Sequence, residues 1–214
     1  AVLNGTIQKE IEGTVQRRTD MVASRREVLL GTNQFPNVNE TISGCIAEDK
    51  AFPDEFIKAE KVAGPVIRKR AAMEFEKLRL AVEKRKAQRP RVFMLTYGSL
   101  AMRLARSQFS GNFFACGGYE IIDNHGFKTA EEGVKAAFDA KADIIVVCSS
   151  DEEYAEIAPA VADLVKDKAI VVVAGAPANM EDLKQKGIHE FIHIRSNVLE
   201  TLKGFHKKLG IEII

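Results

Sequence analysis

The segment IIDNHGFK, residues 121–128, sets Asp123 and His125 apart by one residue, directly after an apolar run. A carboxylate and an imidazole so close could ligate a metal or cofactor, or could be the polar end of a strand. A second candidate is the serine pair Ser149-Ser150, whose hydroxyls could bond a phosphate or an amide. Serines at a strand end ahead of an acidic helix also serve as helix caps. The cysteines Cys45, Cys116 and Cys148 fit neither a disulfide framework nor metal-ligand spacing. Cys116 and Cys148 lie in apolar, strand-like runs and read as small buried hydrophobes. Unpaired thiols of this kind imply a reducing, cytoplasmic setting.

The elements that position these residues fall into two regimes, divided at QRPRVFML. Residues 1–90 are mostly helical. Ile7, Ile11 and Val15 recur at helical spacing and predict a helix to about Ala23. EVLLGTNQF then reads as a short buried strand, and 36–53, rich in Asn, Gly and Pro, as loop. A second helical stretch from Pro53 puts Phe75, Leu78 and Val82 on one face, with charge elsewhere. These parts do not close a core of their own and need something else to pack on.

From residue 91 onward apolar runs alternate with amphipathic helices. RVFML precedes a helix over about 99–109, and an extended region follows from NFFA to YEIID, with Gly117-Gly118 marking a bulge in it. Then come TAEEGVKAAFDA, DIIVVCSS, DEEYAEIAPAVADLVK, AIVVVAG, NMEDLKQKG, HEFIHI and SNVLETLKGFHKKLG. IIVV and IVVVA are apolar at every position, as strands of a parallel sheet covered on both faces must be. Thr129 and Ser196 are suitable helix caps. Five such units predict an α/β, flavodoxin-like, doubly wound parallel sheet in the order 2-1-3-4-5.

In that fold ligands bind at the carboxyl ends of the strands, between strands one and three. The loops there are 96–101, 149–153 and 174–179, and a ligand would meet Tyr97, Gly98, Ser149, Ser150 and Gly175. No cofactor site is assigned to them. From Thr96 to Met102 there is no Asp, Glu, His, Cys or Lys, which excludes a phospho-acceptor aspartate, and there is no GxGxxG fingerprint. Gly98 reads as a turn residue, and Gly175 with Pro177 as a tight strand-to-helix turn. His125 follows strand two, in the neighbouring loop. Asp123 there caps or turns the chain, with Gly126 giving the turn its freedom. No catalytic acid–base pair, nucleophile or metal set assembles at the crevice.

The bulk properties agree. Thirty-one basic and thirty acidic residues in 214 leave a net charge of +1, so nothing draws the chain to nucleic acid or an anionic membrane. No apolar run approaches the ~20 residues of a membrane span. The start carries no signal-peptide pattern and no initiator methionine, and so reads as a fragment or a processed chain.

Several consecutive segments resemble the methylmalonyl-CoA mutase family. LNGTIQKEIEGTVQRRTDMVASRREVLLGTNQFPN looks like the end of its substrate barrel, with Gly31, Asn33 and Phe35 as the G-x-N-x-F terminus. RKRAAMEFEKLR resembles the helical linker, and 91–214 the cobalamin-binding domain, with GSLAMRLARSQFSGNFFACGGYEIIDNHGFKTAEEG the most telling stretch. The resemblance implies three parts: a barrel remnant over 1–53, a helical linker over 54–90 and a cobalamin-binding-like domain over 91–214. Such domains carry D-x-H-x-x-G after strand one, and its histidine becomes the lower cobalt ligand. Here that position reads LTYGSLA. D-x-H occurs at 123–125 instead, in the wrong loop and with Lys128 in place of the glycine. The S-x-L signature is half present at Ser149-Ser150-Asp151, and the Gly-Gly pair reads Ala174-Gly175. These departures resemble the small-subunit branch of the family. The resemblance then implies a non-catalytic chain without cofactor, paired with a large subunit that binds adenosylcobalamin and interconverts methylmalonyl-CoA and succinyl-CoA. The alternative is a cobalamin carrier or sensor that binds without a histidine ligand.

Overall fold

The structure, a computed structural model, describes residues 3–44, 69–85 and 88–213. Cys45 and the start of the second helical stretch lie outside them. Helix α1 spans Thr6–Ala23 and α2 Met73–Glu83. The rest alternates as β1 Arg91–Thr96, α3 Leu100–Ala115, β2 Glu120–Ile122, α4 Ala130–Asp139, β3 Ile144–Cys148, α5 Tyr154–Val165, β4 Ile170–Ala174, α6 Met180–Gln185, β5 Glu190–Ile192 and α7 Val198–Lys208. All strand pairs are parallel, in the order β2-β1-β3-β4-β5. This is the flavodoxin-like arrangement that the apolar runs predict.

The sheet is buried on both faces, and strand alternation divides its side chains. Val92, Met94, Ile144, Val146 and Val172 face one layer, with Phe113 and Phe114 of α3 and Leu199, Leu202 and Phe205 of α7. Phe93, Leu95, Ile145, Val147 and Val173 face the other, against α4, α5 and α6. Every residue of β3 is buried. At roughly 1.5–3 kcal/mol per buried aliphatic side chain, this central strand anchors the fold.

The N-terminal elements dock on the first layer, whose core includes Val22, Ala23, Phe75, Leu78, Ala81 and Val82. A single buried histidine fastens α2 there. His206 is fully buried; its Nε2 lies 3.1 Å from the Leu78 carbonyl and its Nδ1 2.7 Å from the Tyr119 hydroxyl. Nδ1 also lies 3.0 Å from the Leu202 carbonyl, so the ring nitrogens meet one hydroxyl and two carbonyls. Burial lowers the imidazole's pKa and so favours its neutral form.

Several local expectations are corrected. EVLLGTNQF is not a buried strand: it holds one bridge, Leu30 to Gln34, with Leu30 78% exposed. The buried Asn33 amide shapes it instead. That amide accepts from Leu29 N at 2.8 Å and donates to the Val22 and Glu27 carbonyls at 2.7 and 2.9 Å. NFFA is helical, because Phe113 and Phe114 carry α3 onward along the core face. Gly117-Gly118 is therefore the turn that ends α3, not a bulge in a strand. Gly118 has φ +84, and a Cβ there would lie 3.3 Å from Arg79 Cα, so the glycine also lets α2 approach. Cys116 consequently caps α3 rather than lying in a strand. It is buried, as is Cys148 in β3. Thr129 caps α4 as predicted. Asn197 rather than Ser196 caps α7, and the Ser196 hydroxyl accepts from His193 N at 3.0 Å.

Candidate functional site

The pairing of β1 with β3 sets Thr96 beside Cys148, so their following loops meet at the point where strand order reverses. Tyr97 N donates to the Cys148 carbonyl at 3.0 Å, and Ser149 Oγ lies 3.0 Å from the Tyr97 carbonyl. Ser149 N donates to the Tyr154 hydroxyl at 3.1 Å, which in turn donates to the Ala174 carbonyl at 2.6 Å. Tyr97, Ser149 and the β4 end are thus brought together, as expected of the crevice loops.

The crevice is filled from within. Ser149 Oγ, Ser150 N and Ser150 Oγ all bond to Oε2 of Glu153, the last two at 3.2 and 3.1 Å. The Ser149 hydroxyl has one proton and gives it to the carboxylate, the charged acceptor. These bonds, the Ser149 bond first, hold the Glu153 pKa below the ordinary carboxylate value. Gly98 has φ +74, and a Cβ on it would lie 2.1 Å from the same Oε2. The carboxylate therefore occupies the space the glycine leaves open.

Two other glycines of this edge repeat the pattern. At Gly175 a Cβ would meet Asp151 Oδ1 at 3.2 Å and Arg106 Cζ at 3.4 Å; these two side chains form an ion pair at 2.8 Å. At Gly126, φ +110, it would meet the Arg103 guanidinium at 2.5 Å. Where a nucleotide-binding fold leaves glycines for a ligand to approach the backbone, this chain places its own charged groups.

The Asp123–His125 pair is not a ligand set. Asp123 Oδ1 accepts from Ser107 Oγ at 2.7 Å and Asn124 N at 2.9 Å. His125 is exposed, and it is its carbonyl that is engaged, by Arg103 at 2.9 Å. The organising residue is Asn124, which residue-type reasoning passed over. Its amide bonds Thr96 Oγ1, the Met94 carbonyl and Gly126 N, tying the β2 loop to β1. Glu153 was also missed. Its signal was the Ser150-x-x-Glu153 spacing, in which a glutamate reaches back to the N–H of a serine three residues earlier.

The cavity beside this loop, between Leu100, Arg103, Leu104, Ser107 and Asp123, measures about 110 Å³, below the ~300 Å³ of small-molecule sites. A larger hollow of about 440 Å³ opens at the other end of the sheet, around Asp143, Asp167, His189 and Glu190, away from the switch point. Among the described residues no three or more His, Cys, Asp or Glu could hold a metal ion. No described helix is long and apolar enough to cross a membrane. The loop that follows β1 carries no histidine, and Glu153 stands against Gly98 in the crevice.

No family model matches the chain. It is 54% identical over 211 residues, 99% of its length and 34% of the relative's, to the methylmalonyl-CoA mutase small subunit of Porphyromonas gingivalis. To the small subunit from Streptomyces virginiae it is 31% identical over 216 residues, 99% of this chain and 32% of that one. The chain spans about a third of the length of the curated relatives it matches. Along essentially its whole length, then, the chain is similar to methylmalonyl-CoA mutase small subunits, as its residues implied.

Proposed function

We propose that this chain is the C-terminal part of a methylmalonyl-CoA mutase small subunit and performs no chemistry itself. In this reading adenosylcobalamin is bound by a large-subunit partner, which interconverts methylmalonyl-CoA and succinyl-CoA in the cytoplasm. The observation that carries it is the 54% identity along 99% of the chain. The Glu153 carboxylate lodged against Gly98 supports it, since it occupies one of the loops a ligand of this fold would meet. The cofactor supplies the hard chemistry of such enzymes, so a chain without a place for it contributes architecture. The barrel origin of residues 1–53 belongs to the same proposal, as does the linker role of 54–90. The test is gel filtration of this chain mixed with the mutase large subunit. Co-elution at a fixed ratio is expected; separate elution at micromolar concentrations overturns the reading.

A further inference from the structure

Residues 29–43 follow α1 with little regular structure of their own beyond the bridge from Leu30 to Gln34. A segment so rich in Asn, Gly and Pro reads as a linker, and parts of a chain joined by a linker move relative to one another by default. Here the main chain of the segment is taken up by side chains from elsewhere. Arg79 of α2, only 7% exposed, donates to the Gly31 carbonyl at 3.5 Å and to the Asn37 and Glu40 carbonyls, each at 3.4 Å. A guanidinium has donors enough to serve three carbonyls at once. One turn further along α2, the Glu83 carboxylate accepts from Ile42 N at 2.9 Å and from Ser43 N at 2.8 Å. Arg89, ahead of β1, donates to the Val38 carbonyl at 2.9 Å, and Asn112 Oδ1 of α3 accepts from Phe35 N at 2.6 Å.

The fasteners thus come from α2, from α3 and from the approach to the sheet. Asn33 and Ile42 turn inward, but Leu30, Phe35 and Val38 remain exposed, so it is chiefly main chain that is held. Hinges work through a few residues free to absorb a change in φ and ψ. This segment has its carbonyls and N–H groups pinned at intervals from Gly31 to Ser43. We infer that residues 29–43 are a strap that makes a fixed joint, not a hinge, between α1 and the sheet domain. Resting on the barrel origin proposed above for residues 1–53, the joint makes the barrel-like part and the cobalamin-binding-like domain turn together.

The test is nuclear magnetic resonance of the full chain, reading 15N order parameters over 29–43 and N–H residual dipolar couplings of α1 and the strands. Wild type should give order parameters near ~0.85, those of rigid backbone, and one alignment tensor that fits α1 and the strands together. In Arg79→Met/Glu83→Ala the order parameters of 37–43 should fall toward ~0.6 and the α1 couplings should shrink, with β3 unchanged. Should that double variant fail to fold, as the β3 signals would show, Glu83→Ala alone should loosen 42–43. Leu30→Ser, which alters only an exposed side chain, should match wild type. Separate tensors in wild type, or wild-type values in both Glu83 variants, overturn the inference; loosening by Leu30→Ser counts against a main-chain strap. None of these results touches the subunit reading, which gel filtration with the large subunit decides by itself.

Discussion

Replacing Gly98 by alanine tests whether Glu153 fills the crevice. The backbone there, at φ +74, costs an L-residue ~1–2 kcal/mol. The new Cβ would also fall 2.1 Å from Glu153 Oε2, so the carboxylate must leave. It then loses its bonds from Ser149 Oγ, Ser150 N and Ser150 Oγ. Hydrogen bonds to charged groups are worth ~1.5–3 kcal/mol each when buried, but Glu153 is only partly buried and screening discounts them. A loss of about 1–2 kcal/mol for the set is appropriate. Gly98→Ala should therefore cost about 2–4 kcal/mol, and only the backbone part, ~1–2 kcal/mol, in a Glu153→Ala background. The assay is urea unfolding of the four proteins in the cycle. A coupling energy below ~0.3 kcal/mol would show that the two residues do not compete for one space, and would refute the reasoning.

Other outcomes follow from the same geometry. The pKa of Glu153 is lowered in the folded state, so its contribution is present above the unfolded value and is lost as pH falls through the folded one; the stability gap between wild type and Glu153→Gln should close below pH ~4, and a gap constant down to pH 3 contradicts this. His206 also has a lowered pKa. Its unfolded form takes the proton first, so stability is full above pH ~6.5 and declines below it. Hydrogen exchange should show the α2 amides losing protection on acidification, and exchange that is flat from pH 7 to 5 speaks against His206 as the fastener. Asn33→Ala orphans Leu29 N and the Val22 and Glu27 carbonyls and should cost about 3 kcal/mol in a urea melt; a cost under ~1 kcal/mol means the turn is set otherwise.

What the sequence made legible follows from burial. IIVVC and IVVVA read as interior strands because both faces of the sheet are covered, and strand order followed from the alternation with helices. The misreadings arose where one pattern serves two structures. NFFA suits strand or helix, and only the packing of Phe113 and Phe114 on the sheet decides. The Gly117-Gly118 pair punctuates either, and its close approach to Arg79 is invisible in a linear chain. EVLLGTNQF looked like a buried strand because its apolar residues were assumed covered, whereas Asn33's amide holds the turn and leaves Leu30 outside. The crevice loops were located correctly from the fold rule. Their occupant was not, because Glu153 reaches Gly98 only once β1 and β3 lie side by side. Asn124 was overshadowed by the more reactive residues on either side of it.

The proposal that this chain binds no cobalamin has a direct test. It is a visible-spectrum titration of the chain with hydroxocobalamin and adenosylcobalamin, followed by gel filtration. The account predicts that the colour elutes apart from the protein and that no spectral shift accompanies mixing. Stoichiometric co-elution with a shifted spectrum would contradict it, and would make this chain a carrier that binds cobalamin in another mode.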